Sequence, residues 1–284
     1  MISFRTVVKI FLVGLQIVVI SSSLAYFIYH YFAGSYSHRF HYAELRQGSL
    51  KSDFIFSILG MQYPNNADVL HERSVAFNKR GMYARGFQLL DSAVHIDPAS
   101  HLGYRGWIKL HMLRDYKGAL RDFLRQDALT ADHVDYPMSE NIHFLKAICY
   151  DKLGDHETAL TCFDTARTSS MDGFVDYKID LYKAIVLFQN NRETNAAAIF
   201  RQVLEQYPKC SEAYYYLARI YKHSNRKDEA ATCASLARAY YLQGYKLKNA
   251  YNEMPYEIYL EDINLLNCQI TSTQVSTNGN ADRN

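Results

Sequence analysis

The chain has 284 residues, of which 49% are hydrophobic and 21% charged, and its 31 Lys and Arg nearly cancel its 29 Asp and Glu for a formal net charge of +2. This balance gives no basic face for nucleic acid, and no positive cluster with interleaved stacking residues occurs. Five cysteines without a CxxC pair indicate neither a zinc ribbon nor a thioredoxin-like centre, and buried reduced cysteine is the expected state.

At the amino terminus, Ile10 to Phe32 contains no Asp, Glu, Lys or Arg. These 23 residues are long enough to cross a bilayer as one helix. Tyr26, Tyr29 and Tyr31 lie toward the far end, where amphipathic rings favour an interface. Arg5 and Lys9 precede the span, and the next full charge is Arg39. This bias predicts a single-pass membrane protein with a cytoplasmic amino terminus and the rest of the chain on the extracytoplasmic side. A cleaved signal peptide, with Ser23 and Ala25 as its small-residue site, is the competing reading. The expected division starts with residues 1–34 as cytoplasmic stub and transmembrane helix.

Residues 35–66 form a partial or atypical first helical repeat, with Phe56, Leu59 and Pro64 in phase with later copies. Residues 67–245 hold five helical hairpins. Their clearest marks are Ala184 and Ala218, and Ala196 and Ala230, each pair 34 residues apart. A period near 34 describes stacked helix pairs, none of which can bury its apolar side alone. The second copy has one residue more between Gly106 and Ala119 than the others have between equivalent sites, which its turn or helix end must absorb. Residues 246–266, interrupted by Pro255, are expected to cap the last apolar face as a helix, and the polar run 267–284 to be a disordered tail.

The segment 147-AICYDKLGDHETALTCFDTA-166 places Ala147, Tyr150, Ala159, Phe163 and Ala166 where the tetratricopeptide repeat family places its packing residues. Ala184, Leu187, Ala196 and Phe200 repeat the pattern, as do Ala218, Tyr221, Ala230 and Ala234. The chain thus resembles a membrane-anchored member of that family. The resemblance implies an all-α fold: a tetratricopeptide-like superhelical solenoid of antiparallel helix hairpins, preceded by one transmembrane helix. It also implies that the first helices of successive units line a groove for a protein or peptide partner. In this chain those positions are His71, Val75 and Asn78; Trp107 with Leu110 or His111; Phe144, Ile148 and Asp151; Leu181, Ile185 and Phe188; and Tyr215, Arg219 and Lys222. The apolar middle departs from the lysine and asparagine clamp that some members use for carboxyl-terminal peptides, so an apolar helix or extended segment is the better-matched partner.

Eleven histidines lack the spacing of a helical metal site, and no nucleophile elbow, phosphate-binding loop or dinucleotide fingerprint is present. No catalytic residue, metal or cofactor is therefore assigned. The expected function is a membrane-tethered interaction module that recruits or organises a membrane-associated protein or peptide partner. A passive spacer subunit of a membrane assembly and a peptide-handling factor for a membrane enzyme are the alternatives.

Overall fold

The computed structural model describes residues 4–170, 175–249 and 252–281, with backbone alone for 272–281. The chain divides into two compact units, Met1–His101 and Leu102–Asn284.

In the first unit, α1 (Phe4–Ile28) continues into a π-helical turn, Tyr29–Ala33. Two antiparallel hairpins follow, α2 (Tyr36–Glu44) with α3 (Leu50–Gln62) and α4 (Ala67–Lys79) with α5 (Tyr83–Ile96). Ser35, Ser49 and Asn66 start α2, α3 and α4 by accepting from the backbone N–H three residues on, which satisfies an otherwise orphaned helix donor. Gly34 makes the reversal between α1 and α2, because a Cβ there would meet the Tyr29 carbonyl at 2.7 Å. Tyr31, Ala43, Ile55, Phe56, Leu59 and Val69 form the core of this end, so the top of the amino-terminal helix is part of the folded unit. Below it α1 is exposed along its whole apolar length.

In the second unit, α6 (Pro98–His111), which the boundary between units divides, pairs with α7 (Tyr116–Leu129). Three further hairpins join α8 (Ile142–Lys152) to α9 (His156–Thr168), α10 (Tyr177–Gln189) to α11 (Glu193–Gln206), and α12 (Ser211–His223) to α13 (Lys227–Leu242). The final helix, α14 (Leu260–Ala281), lies on α13. Ala147, Ala159, Ala184, Ala196, Ala218 and Ala230 are all fully buried. Small side chains at these positions let paired helices approach closely while Phe163 and Phe200 fill the remaining space. Gly106 is close-packed in the same way, since a Cβ there would meet the Phe123 ring at 2.7 Å.

The repeat is also visible in the turns. Gly154, Asn191 and Asn225 each adopt positive φ after the first helix of a hairpin, as Asn and Gly do at helix C-termini. In these turns an amide bonds back across five residues: Asp155 to Tyr150, Arg192 to Leu187, and Arg226 to Tyr221. After α6 the corresponding bond spans six, from the Asp115 amide to the Lys109 carbonyl, and Arg114 takes the positive φ. The extra residue of the second copy is thus absorbed by its turn.

The carboxyl-terminal region differs from the expected layout. Residues 246–249 and 252–259 are not helical, and α14 begins only at Leu260. It then continues to Ala281, through the run expected to be disordered; residues 282–284 of that run lie outside the described residues. Ile263, Leu266 and Ile270, spaced as one helical face, are buried and account for the continuation.

His71 and His101 place their rings 5.0 Å apart in the first unit. Burial, with a smaller contribution from His101, lowers the His71 pKa to about 4 from 6.5. Between these values the unfolded chain binds the extra proton, so stability present above pH 6.5 is lost as the pH falls toward 4. The shift corresponds to about 3 kcal/mol. Urea unfolding from pH 7 to pH 4 is expected to show a steeper loss of stability for the native chain than for His71→Leu, whereas parallel curves would exclude the assignment.

Candidate functional site

The first helices α6, α8, α10 and α12 share one face of the second unit, and the chain's own residues 245–249 and 252–259 lie across it. The segment leaves α13 through Gly244, at positive φ, where the extended exit favours glycine. The Tyr245 carbonyl accepts from the Ser211 amide at 3.3 Å, and the Leu247 amide donates to Glu212 Oε1 at 2.7 Å. Glu212 is buried at the start of α12; burial raises its pKa, against the opposing effect of the Leu247 and Ser211 bonds.

Farther along, Met254 and Ile258 are buried, and Tyr256 between them reaches α8 and α10. Its hydroxyl donates to Asp151, its ring meets Tyr182 edge-on at 4.9 Å, and the Lys152 ammonium stands 3.8 Å from its centre. Burial and then the Asp151 charge push the Tyr256 pKa well up, so the phenol stays protonated as a donor. Asp151 is itself buried and also lies 2.8 Å from His156 Nδ1. Glu253 pairs with Arg114 at the edge. The Tyr256 backbone sits at φ +60, in a turn closed by the Glu257 amide on the Met254 carbonyl. A bulky residue in that region costs about 1 to 2 kcal/mol, which the ring and hydroxyl contacts offset.

Trp107 is only 8% exposed. Its Nε1 donates to Glu140 Oε2 at 2.7 Å, and His111 Nε2 lies 3.2 Å from the same oxygen. Burial would raise the Glu140 pKa, but His111, Lys178 and Trp107 together outweigh it and hold the carboxyl below its ordinary value. Beside this cluster is an open cavity of about 370 Å³, bounded by Lys178, Leu247 and Met254. A second, of about 250 Å³, opens on the other side of Met254 near Arg114, Lys152 and Tyr256. Residues 245–249 and 252–259 thus cover the face without filling it.

The other sequence-nominated positions divide by burial. Ile148, Leu181 and Ile185 are fully buried, and Phe144 and Phe188 nearly so. Phe144 packs against Phe163 and Tyr182. Tyr215, Arg219 and Lys222 are partly exposed and border α14, where Lys222 Nζ donates to Gln269 Oε1 at 2.5 Å and the Arg219 guanidinium lies over the Phe188 ring at 4.7 Å. Glu140, Tyr182 and Glu212 escaped the sequence reading because they lie beside the positions that the family register marks. The covering segment carried a signal of its own, with Met254, Tyr256 and Ile258 alternating as in an extended chain.

Among the described residues, no three His, Cys, Asp or Glu side chains converge as a metal site, and all five cysteines are free. The face offers the Ser211 amide, buried carboxylates and aromatic edges, which suit binding to a polypeptide.

The tetratricopeptide repeat family model matches residues 187–244. No curated protein matches the chain by sequence. Among solved structures, the chain is similar to PilF of Pseudomonas aeruginosa, with a TM-score of 0.58 and 15% identity over 72% of this chain and 93% of that one. PilW, described as a widely conserved type IV pilus biogenesis factor, gives 0.56 and 15% over 72% and 84%. YrrB, described as a TPR protein with an unusual peptide-binding site, gives 0.51 and 17% over 65% and 91%. The fold is tetratricopeptide-like. At these identities the fold is what is shared.

Removing the Tyr256 hydroxyl leaves Asp151 without one of its donors, a loss of about 1 to 3 kcal/mol for the covering segment. Tyr256→Phe is therefore expected to raise tryptic cleavage after Lys246 and Lys248 by about tenfold or more. Cleavage at the native rate would show that the Tyr256 to Asp151 bond does not hold the segment down.

Proposed function

We propose that the protein is a membrane-tethered interaction module whose first-helix face in the second unit takes an extended segment of a protein partner. One observation carries this reading: the face already holds a polypeptide segment, the chain's own residues 245–249 and 252–259. The Leu247 amide on Glu212 and the Tyr256 hydroxyl on Asp151 are the kind of bonds that would hold a partner's backbone and side chains there. Trp107, Phe144, Ile148, Leu181, Ile185 and Phe188 then serve as the packed floor, and Tyr215, Arg219 and Lys222 as a rim toward α14. That YrrB is described as carrying a peptide-binding site on a similar fold is in keeping with this reading.

The tether is α1. The helix and its continuation run from Phe4 to Ala33, long and apolar enough to cross a membrane, with no part of the most apolar stretch buried. Its flanking charges do not single out a side. Arg5 and Lys9 stand before it, but Arg39, Arg46 and Lys51 follow within the stretch of chain over which the positive-inside bias acts. The extracytoplasmic placement expected from Arg5 and Lys9 alone therefore loses its basis.

Closure of the face by residues 245–259 and α14 favours a second reading, a passive spacer whose first-helix face is never offered to a partner. A labelled peptide with the sequence of residues 243–260 separates the two. The interaction reading predicts that it binds a Met254→Ala, Tyr256→Ala chain more tightly than the native chain; equal, negligible binding to both would favour the spacer. For the tether, the full-length chain is expected to stay with membranes after alkaline extraction, and its release would sink that part of the proposal.

A further inference from the structure

The contacts between α1 and the first hairpin show which end of the first unit lies nearest the apolar helix. His30 Nδ1 and His38 Nε2 are 2.9 Å apart, and the hydroxyls of Tyr26 and Tyr42 are 3.2 Å apart. As the numbering falls along α1 it rises along α2, so α2 runs back down beside the amino-terminal helix. Tyr42 is therefore level with Tyr26. The turn from Leu45 to Ser49 continues in the same direction, about 5 Å farther down at the helical rise of 1.5 Å per residue. The Arg46 guanidinium is anchored at that level, 3.8 Å from the centre of the Tyr42 ring and donating to the Tyr42 carbonyl at 3.0 Å. Phe54, one turn into α3 from Leu50, meets Tyr31 and Phe32.

The turn closing the second hairpin lies beside the first. Lys79 Nζ donates to Gln47 Oε1 at 2.7 Å, and Arg80 reaches the Gly48 carbonyl and pairs with Asp53. Together the two turns present apolar tips, with Leu45 70%, Leu50 83% and Met82 47% exposed. Arg46, Lys51, Lys79 and Arg80 surround them, against Glu44 and Asp53. Exposed Leu and Met amid long basic side chains is the composition of an interfacial surface, in which apolar groups enter the headgroup boundary and cations meet anionic lipid.

We propose that the turns closing the first two hairpins, tipped by Leu45, Leu50 and Met82, form a foot that seats in the headgroup layer of an anionic membrane beside α1. The inference rests on the reading of α1 as a membrane anchor and adds where the membrane surface falls. The surface lies near Ser21–Ser23, below the docked rings of Tyr26 and Tyr31, and not at Phe32 where the charge-free run ends. Residues 4–23 then cross the hydrocarbon, about 30 Å at 1.5 Å per residue, with Lys9 reaching back toward the opposite interface. The Ser21 hydroxyl is already bonded to the Val18 carbonyl at 3.1 Å, which lowers the cost of placing it at that boundary.

Depth-dependent quenching tests the foot in the full-length chain. Ile17→Trp and Leu50→Trp are each reconstituted into vesicles of phosphatidylcholine and phosphatidylglycerol, with or without bromine on the acyl chains, and the emission of the parent protein, from Trp107, is subtracted. Both reporters are expected to lose emission to bromine, the one at Ile17 more. The loss at Leu50 should shrink when phosphatidylglycerol is omitted, and also in an Arg46→Glu, Lys51→Glu background. Quenching at Ile17 without quenching at Leu50 would overturn the foot while leaving the anchor standing. Quenching at neither site would overturn both. Quenching at Leu50 that ignores lipid charge and both substitutions would overturn the role given to the cations.

Discussion

Close approach of helices at small side chains is the constraint on which the rest of the structure depends. Gly106 against Phe123, and the buried alanines 147, 159, 184, 196, 218 and 230, allow each hairpin to close tightly. A tight hairpin has an apolar flank that only the next hairpin can cover, so the stack propagates, and its last flank must be covered by something outside the repeat. Here α14 does this for α13, through Ile263, Leu266 and Ile270. Residues 245–249 and 252–259, between α13 and α14, are then led across the first-helix face, where Glu212 and Asp151 hold them.

Much of the fold was legible in the sequence because its determining contacts are local. The Ala, aromatic and turn positions of one hairpin lie within about 20 residues of each other, and they recur, so even the extra residue before Ala119 could be assigned to a turn or helix end. The site was less legible because its contacts are neither local nor repeated. Tyr256 and Asp151 are 105 residues apart, and no period relates them. The family register marked Ile148, Leu181 and Ile185 as a groove, but these side chains are consumed by packing between helices. The residues that touch the covering segment include Tyr182 and Glu212, next to the marked positions. The tail misled for a different reason: its polar composition concealed Ile270, which shares one helical face with Ile263 and Leu266 of the preceding segment.

Each unit has its own consequence for function. In the first, the apolar helix is joined rigidly to a folded hairpin through Tyr31 and Gly34, so a membrane that holds α1 also fixes the orientation of α2 and α3. In the second, the binding face carries an internal competitor. A partner must match or exceed what Leu247, Met254 and Tyr256 gain there, and its apparent affinity is reduced by the fraction of molecules in which residues 245–259 are seated.

The binding site depends on residues 245–249 and 252–259 occupying the first-helix face in the intact protein. Residue-resolved hydrogen exchange tests it most directly, through the Leu247 amide on the buried Glu212 carboxylate and the Met254 amide, which donates to Glu257 at 3.0 Å. The account predicts exchange at both amides far slower than in a free peptide of the same sequence, with Tyr256→Phe accelerating both. Exchange at the free-peptide rate in the native chain would contradict it.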